Sequence, residues 1–275
     1  GNTFSTTPAI SNSIIKILLT QSPLHAWEKH PALNLDYRPE EPSSAFDLGT
    51  AVHSLVLEND TTGIVMLDFP DYRTKASQEA RDYARSLGQI PMLQKHWDEA
   101  SAVTKAVRAG VSAIDATPRL FTGGRAEVTL LWREGDILCK ARPDYLHDDH
   151  SAIDDLKTSK RSSAPERVTG RVFGMGYDIQ AAWYSRGLKA LTGRECEFRF
   201  VFVEAWPPYA VSAYALAPAA LALANQKIDF ALKLWRDCLE ADRWPGYPAR
   251  LMHIEPPSYE ETRVFEREYR EEEAA

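Results

Sequence analysis

The sequence predicts an α/β fold, a single domain with a mixed central β-sheet flanked by helices. Three observations lead there. The chain from about residue 10 to 110 carries helical caps and helical apolar spacing. From Gly123 the apolar period shortens to that of strands. After that, one helix-length segment, a further strand pair and a second long helix follow in turn.

In the helical part, "ISNSIIKILLT" offers Ser11 or Ser13 as N-cap before an apolar stripe. "SPLHAWEKH" places Ser22 as cap and Pro23 at the first helical position, where a missing N–H costs nothing. In "SSAFDLGTAVHSLVLEND", Ser43 or Ser44 caps a helix with Phe46, Val52, Leu55 and Val56 on one face. "IVMLDF" reads as a short strand, "TKASQEARDYARSLG" as a surface helix, and "PMLQKHWDEASAVTKAVRA" as a helix beginning at Pro91. The core of the domain, about 120–242, opens with three consecutive antiparallel strands: "RAEVTLLWREG", "ILCKARPDYLHD" and "AIDDLKTS". "GMGYDIQAAWYSRGLKALTG" is a helix closed by Gly193, "CEFRFVFVEAWPPYAVSAYAL" a hairpin across "WPPY", and "APAALALANQKIDFALKLWRDCLEAD" a long helix. Trp183 and Trp206 are expected in the core, and residues 258–275 form a charged tail, helical and solvated or disordered.

At 275 residues with 44% hydrophobic residues, the whole chain 1–275 can bury one sizeable core. No apolar run approaches the roughly 18 residues a membrane helix needs, and the N-terminal residues show no basic segment ahead of an apolar core. Cys139, Cys196 and Cys238 are too few and too scattered for a zinc or iron–sulfur set or a disulfide framework, so a cytoplasmic location is expected. A net charge of −7 excludes a wholly basic nucleic-acid coat and leaves room for a local basic groove.

The stretch "KARPDYLHDDHSAIDDLKTSK", residues 140–160, is either an exposed charged hairpin or a metal site. Alternation along a strand points Asp155 and Lys157 one way, and Asp154 and Leu156 the other. Asp144, ending the preceding strand, converges with Asp155 across a short turn. Two carboxylates at that range repel unless a divalent cation sits between them, and hard oxygen ligands suit Mg²⁺ or Mn²⁺. A lysine beside such a cation can orient or help deprotonate an attacking water.

"RPD" (142–144) followed by "DLK" (155–157) resembles the PD-(D/E)xK nuclease motif, whose restriction-endonuclease-like core fits the expected fold. "LGTAVHSLVLE" (48–58) resembles the Gly-x-x-x-His helix of the branch holding RecB-type nucleases and RecE, and "YDIQAAWY" (177–184) its Gln-x-x-x-Tyr helix. "SPLHAWEKHP" and "RWPGY" (243–247) are similar to the RecE (exonuclease VIII) C-terminal nuclease domain, so the likeness runs from about Ile10 to Tyr247.

This resemblance implies His53, Asp144 and Asp155 as metal ligands with the Leu156 carbonyl, and Lys157 as catalytic lysine. It implies Gln180 and Tyr184 lining the site against DNA or phosphate, and Glu127 holding a second metal or a water. It further implies a Mg²⁺-dependent exodeoxyribonuclease, with Mn²⁺ substituting, that digests linear duplex DNA 5′→3′ to leave 3′ single-stranded tails. A ring-shaped homo-oligomer, trimeric or tetrameric, and a RecT-like single-strand annealing partner in phage recombination belong to the same implication. The alternatives are a catalytically inactive DNA-binding or assembly module of this fold, and a RecB/AddB-type nuclease of different polarity. AddB-like relatives with an iron–sulfur cluster need four cysteines.

Lys140, Arg142, Lys160, Arg161, Arg167 and Arg171 cluster around the DLK strand and are either a solvated face or contacts to the phosphate backbone. Two positions depart from the family pattern. Asp154 stands where an apolar residue is usual and needs a partner, and "IEPPSYEE" replaces the usual apolar-Pro-Trp near the end.

Overall fold

The structure is a computed structural model that describes residues 8–38, 44–257, 259–260, 262–263, 265–266 and 269. It has two compact units, Gly1–Pro245 and Gly246–Ala275.

The first unit is α/β and holds the element order expected, with local corrections. Its N-terminal part opens with β1 (Ile10–Ser11), α1 (Asn12–Thr20) and α2 (Pro23–Glu28). Ser11 and Ser22 stand at the two N-cap positions, yet neither side chain caps its helix. The Ser11 hydroxyl meets the Ser13 hydroxyl at 2.9 Å, and Ser22 bonds His25 Nδ1 at 2.6 Å. Next come α3 (Ser44–His53), a π-helical turn (Ser54–Glu58), β2 (Ile64–Met66), α4 (Lys75–Ser86), β3 (Ile90–Met92) and α5 (Gln94–Ala113). Ser44 is the first residue of α3 rather than its cap, and Ser43 lies outside the described residues. Thr74 caps α4 by accepting from Ser77 N. Pro91 does not open a helix: it sits in β3, paired in parallel with β2, and α5 begins three residues later.

The strand reading is corrected in the core. Strands β4 (Gly124–Ala126), β5 (Leu130–Glu134), β6 (Ile137–Ala141), β7 (Tyr145–His147) and β8 (Ala152–Ser159) replace the three long ones expected. Each of the first two predicted strands breaks in its middle and feeds two different sheets. β5 and β6 pair with each other and with β1, while β4, β7 and β8 join a five-stranded sheet of order β10-β9-β8-β7-β4. The breaks fall where backbone geometry forbids a straight ladder, at Glu127 with φ +54° and at Pro143, which has no N–H to give.

α6 (Pro165–Gly174) and α7 (Tyr177–Thr192) cross from β8 to β9 (Glu197–Glu204), which runs parallel to it. α6 was not expected; its buried face is only Val168 and Val172, too little for a periodic signal. β10 (Val211–Ala215) and α8 (Pro218–Ala241) close the unit as predicted, and Gly193 ends α7 with φ +72°. Trp183 is fully buried, but Trp206 is only half-buried in the β9–β10 turn.

The five-stranded sheet has a core on each face. Ile153, Phe198, Phe200 and Phe202 pack with α1, α7 and α8. Leu156, Val201 and Val203 pack with α3 and α5. β8 is therefore central and covered on both sides, and the two aspartates in its middle are fully buried. α7 lies close on β5 because Gly187 faces the Trp132 ring: a Cβ there would fall 2.7 Å from it.

The second unit is irregular from 246 to 257, with exposed Leu251, Met252 and Ile254, and its described residues from 259 on are helical.

Candidate active site

The site forms where β7 leaves β8. The two strands pair only at Tyr145↔Asp154 and Leu146↔Ile153, so from Asp155 onward that edge of β8 has no strand beside it. The freed Leu156 N–H donates instead to Asp144 Oδ2 at 2.8 Å. His53, at the junction of α3 and the π-helical turn, places Nδ1 3.6 Å from the same oxygen, and the Leu156 carbonyl accepts a hydrogen bond from its ring. Glu127 joins them through its left-handed conformation, its N–H donating to the Asp144 carbonyl at 3.0 Å. Such backbone is uncommon for a non-glycine residue and marks a constrained position. Ligand atoms of His53, Glu127 and Asp144 all lie within 4.8 Å of one another.

Asp155 adjoins this group through different partners. Its Oδ1 is ion-paired with Lys157, and its Oδ2 accepts from Gln180 Nε2 of α7 at 2.6 Å. Tyr184, one helical turn on, hydrogen-bonds to Gln180 and packs its ring edge-on to Phe198. The Lys157 ammonium also lies 4.8 Å from the centre of the Tyr177 ring, and Lys16 of α1 approaches that ring to 5.9 Å.

The electrostatics fit a cation. Burial pushes the Asp144 carboxyl well above its ordinary range, and the Asp155 charge adds to the effect. Burial likewise raises Glu127; Arg142, at 2.7 Å, opposes this, while Glu58 and Asp155 reinforce it. His53 is lowered by burial against the pull of Asp155, which keeps the imidazole neutral and able to ligate near neutral pH. Lys157 loses basicity by burial but gains more from Asp155 and Asp144, so it stays an ammonium. Tyr184 is pushed up to about 12, mainly by burial, and stays a phenol. An imidazole, two carboxylates and a carbonyl are a donor set that suits a hard divalent cation, which would relieve the repulsion between these acids.

The site opens into a cleft of about 620 Å³ lined by Gly49, Thr50, His53, Glu58, Glu127 and Arg142 among others. Glu58 and Lys16 were missed in the sequence. The π-helical turn brings Glu58 to the same cleft as His53, five residues earlier, a spacing that an α-helical reading puts on different faces. Lys16 carries no signal, since only the packing of α1 against α7 brings it to Tyr177.

Asp154 faces the other side of β8 and finds its partners there. Its carboxylate accepts from Arg199 Nε at 2.6 Å and from the Phe121 N–H at 2.8 Å, and His147 Nε2 lies 2.8 Å away. All three side chains, Asp154, His147 and Arg199, are buried. Arg199 stands opposite Asp154 in the β8–β9 register, so the acid and its counter-charge come from adjacent strands.

Among the expected basic contacts, Arg142 is paired with Glu127 at the cleft, and Lys140 and Lys160 are exposed on β6 and just past β8. Arg161, Arg167 and Arg171 line a separate cavity beside α6.

No curated protein matches the chain in sequence. Among solved structures, a candidate exonuclease from Eubacterium rectale is similar over 95% of this chain and 96% of its own, with a TM-score of 0.61 at 16% identity. A phage-related exonuclease from Haemophilus somnus 129PT aligns over 70% of this chain and 95% of its own, with a TM-score of 0.35 and 13% identity. The alkaline exonuclease LHK-Exo from Laribacter hongkongensis aligns over 70% and 96%, with a TM-score of 0.30 and 17% identity. The first shares the fold; the other two are too different in geometry to bear on it. The family described as PDDEXK-like domain of unknown function (DUF3799) matches residues 11–252. With that match across the α/β unit, and with the Pro-Asp and Asp-x-Lys residues meeting at the break between β7 and β8, the chain belongs to this PDDEXK-like family.

Proposed function

We propose that the protein is a divalent-metal-dependent deoxyribonuclease, an exonuclease acting on linear duplex DNA. The observation that carries this reading is the Asp155–Lys157 ion pair set directly beside the convergent His53, Glu127 and Asp144. The fold shared with the Eubacterium rectale protein, itself described as a candidate exonuclease, supports it.

His53, Asp144, Asp155 and the Leu156 carbonyl would hold Mg²⁺, with Mn²⁺ as substitute, and Glu127 would hold a second ion or a water. Such a cation supplies Lewis acidity for phosphodiester hydrolysis when bound. Lys157, kept charged by Asp155, sits where it can orient a nucleophilic water and offset charge growing on the phosphate. Gln180 fixes the Asp155 carboxylate. Tyr184, protonated at working pH, is a hydrogen-bond donor to substrate rather than a base. Arg142 and Lys160 at the edges are suited to phosphate contacts.

The RecE-like reading extends to 5′→3′ digestion leaving 3′ tails, a ring-shaped homo-oligomer, a single-strand annealing partner in recombination, and work in the cytoplasm. No helix among the described residues is long and apolar enough to cross a membrane.

The test is degradation of linear duplex DNA with and without Mg²⁺ or Mn²⁺. Metal-dependent loss of full-length DNA by the native protein, abolished in Asp155→Ala, is expected, and equal inactivity of both would sink the enzyme reading. Label at the 5′ or 3′ end reads the polarity.

A further inference from the structure

Beside α6 lies a cavity of about 610 Å³ lined by Arg161, Ser162, Arg167, Gly170, Arg171, Gly174 and Met175. Arg167, Gly170, Arg171 and Gly174 repeat at helical spacing, so they share one face of α6, with Arg171 at its edge toward the buried Val168 and Val172. Among the described residues, none of the three arginines forms an ion pair with a carboxylate, although the protein carries a net charge of −7. The acid Glu204 is buried and engaged by the loop before α6, its Oε1 accepting from the Ser163 N–H at 2.7 Å.

The walls of this cavity are held in place. The Ser163 carbonyl accepts from Tyr214 at 2.6 Å and from Ser212 at 2.9 Å, which pins the loop before α6 to β10. Arg171 donates to the Ser162 carbonyl and lies 5.4 Å from the centre of the Phe202 ring, while its Nη1 is buried without a partner. The floor is open: a Cβ built on Gly170 or Gly174 would meet nothing within 4 Å. α6 then leads through Gly176 into Tyr177, whose ring lies under the Lys157 ammonium.

We propose that this cavity is a phosphate-binding subsite, distinct from the metal site, that takes one phosphate group of the nucleic-acid strand. A rigid guanidinium with no acid partner recognises a tetrahedral anion by charge-assisted hydrogen bonds, and Arg161 and Arg167 supply further positive charge from exposed positions. The bare glycines leave room for the phosphate to approach the helix. This inference rests on the nuclease reading for the identity of the strand, but its measurement is independent of cleavage.

The test is equilibrium binding of a short labelled duplex in chelator, by fluorescence anisotropy across salt concentrations, with 5′-phosphorylated and 5′-hydroxyl ends. The full-length chain is compared with Arg171→Gln and with Gly170→Leu, which fills the cavity floor while removing no contact. Both variants are expected to weaken binding, with the slope of log affinity against log salt falling by about one for Arg171→Gln. Loss confined to the phosphorylated duplex assigns the cavity to a terminal phosphate, and equal loss on both assigns it to an internal phosphodiester. Native-like binding by both variants overturns the subsite. Should Arg171→Gln fail to fold, Arg167→Gln takes its place. Weakening by an arginine variant but not by Gly170→Leu also overturns it, since general charge then explains the effect. Failure of the native protein to cleave in Mg²⁺ or Mn²⁺ would instead count against the nuclease reading alone.

Discussion

The Asp144 carboxylate accepts the main-chain N–H of Leu156 at 2.8 Å, at the point where β7 stops pairing with β8. A side chain thus takes over the bond that a strand would have made. It holds Asp144 against the backbone of the Asp155–Lys157 segment, so the first half of the nuclease motif is bound directly to the second. Asp144→Ala should therefore lose both metal-dependent activity and the anchoring of this edge, whereas Asp144→Asn keeps an acceptor. The expected outcome is inactivity in both, with the alanine variant melting lower by about 1–3 kcal/mol of stability. Thermal unfolding of the two variants side by side checks this, and equal melting would deny Asp144 its structural part.

The contribution of Asp144 to the stability of the metal-free protein should fall as pH rises from the acid side. Asp144 has its folded pKa raised, so the folded state holds a proton that the unfolded chain releases between the ordinary and the raised value. Its stabilising contribution is present below the ordinary carboxylate pKa and is lost as pH climbs through the raised one. A divalent cation binds the deprotonated form, so the gain in melting temperature on adding Mg²⁺ or Mn²⁺ should grow over that window and then level off. A gain independent of pH would count against Asp144 as a ligand.

Lys157→Met leaves the fully buried Asp155 with Gln180 as its remaining hydrogen-bond partner. Breaking a buried pair by removing one partner costs about 3–5 kcal/mol, discounted here because Lys157 is 17% exposed. The variant should be inactive and destabilised. Denaturant melts of the native protein and the variant, side by side, decide it.

Asp154→Ala strands Arg199 and His147 in the core, and is expected to destabilise by about 3–5 kcal/mol. Because Asp154 faces away from the cleft, the refolded variant should still bind Mn²⁺ with near-native affinity, measured by calorimetry. A large loss of Mn²⁺ affinity would show that the network also sets the position of Asp155.

Lys16→Met should weaken DNA binding while leaving stability unchanged or raised. Burial and the Lys157 charge both depress the Lys16 pKa, so the fold disfavours its charge, and among the described residues it has no ion-pair partner. Anisotropy and melting curves on one preparation separate the two effects. Lower stability with unchanged binding would make Lys16 a packing residue only.

Much of this was legible because local chemistry and sequence order carry it. The helix starts after Ser11 and Ser22, the helix ending at Gly193 and the hairpin across "WPPY" follow from short-range rules and stand where expected, although neither serine caps with its side chain. Alternation in β8 correctly separated Asp155 and Lys157 from Asp154 and Leu156, since a strand leaves its side chains no other choice.

The α/β class, most helices and the residues of the motif were thus legible in the sequence. Tertiary structure alone decided how they meet. The split of two apparent strands between two sheets depends on a left-handed Glu127 and on pairing partners far away in the chain, which periodicity does not record. The cleft needs a π-helical turn to bring Glu58 to His53, the second cation near Tyr177 comes from a helix over 140 residues distant in sequence, and Asp154 is satisfied by Arg199 across a parallel strand pair. Side-chain partners at such separations are set by packing of the whole sheet and its helices, and no local pattern encodes them.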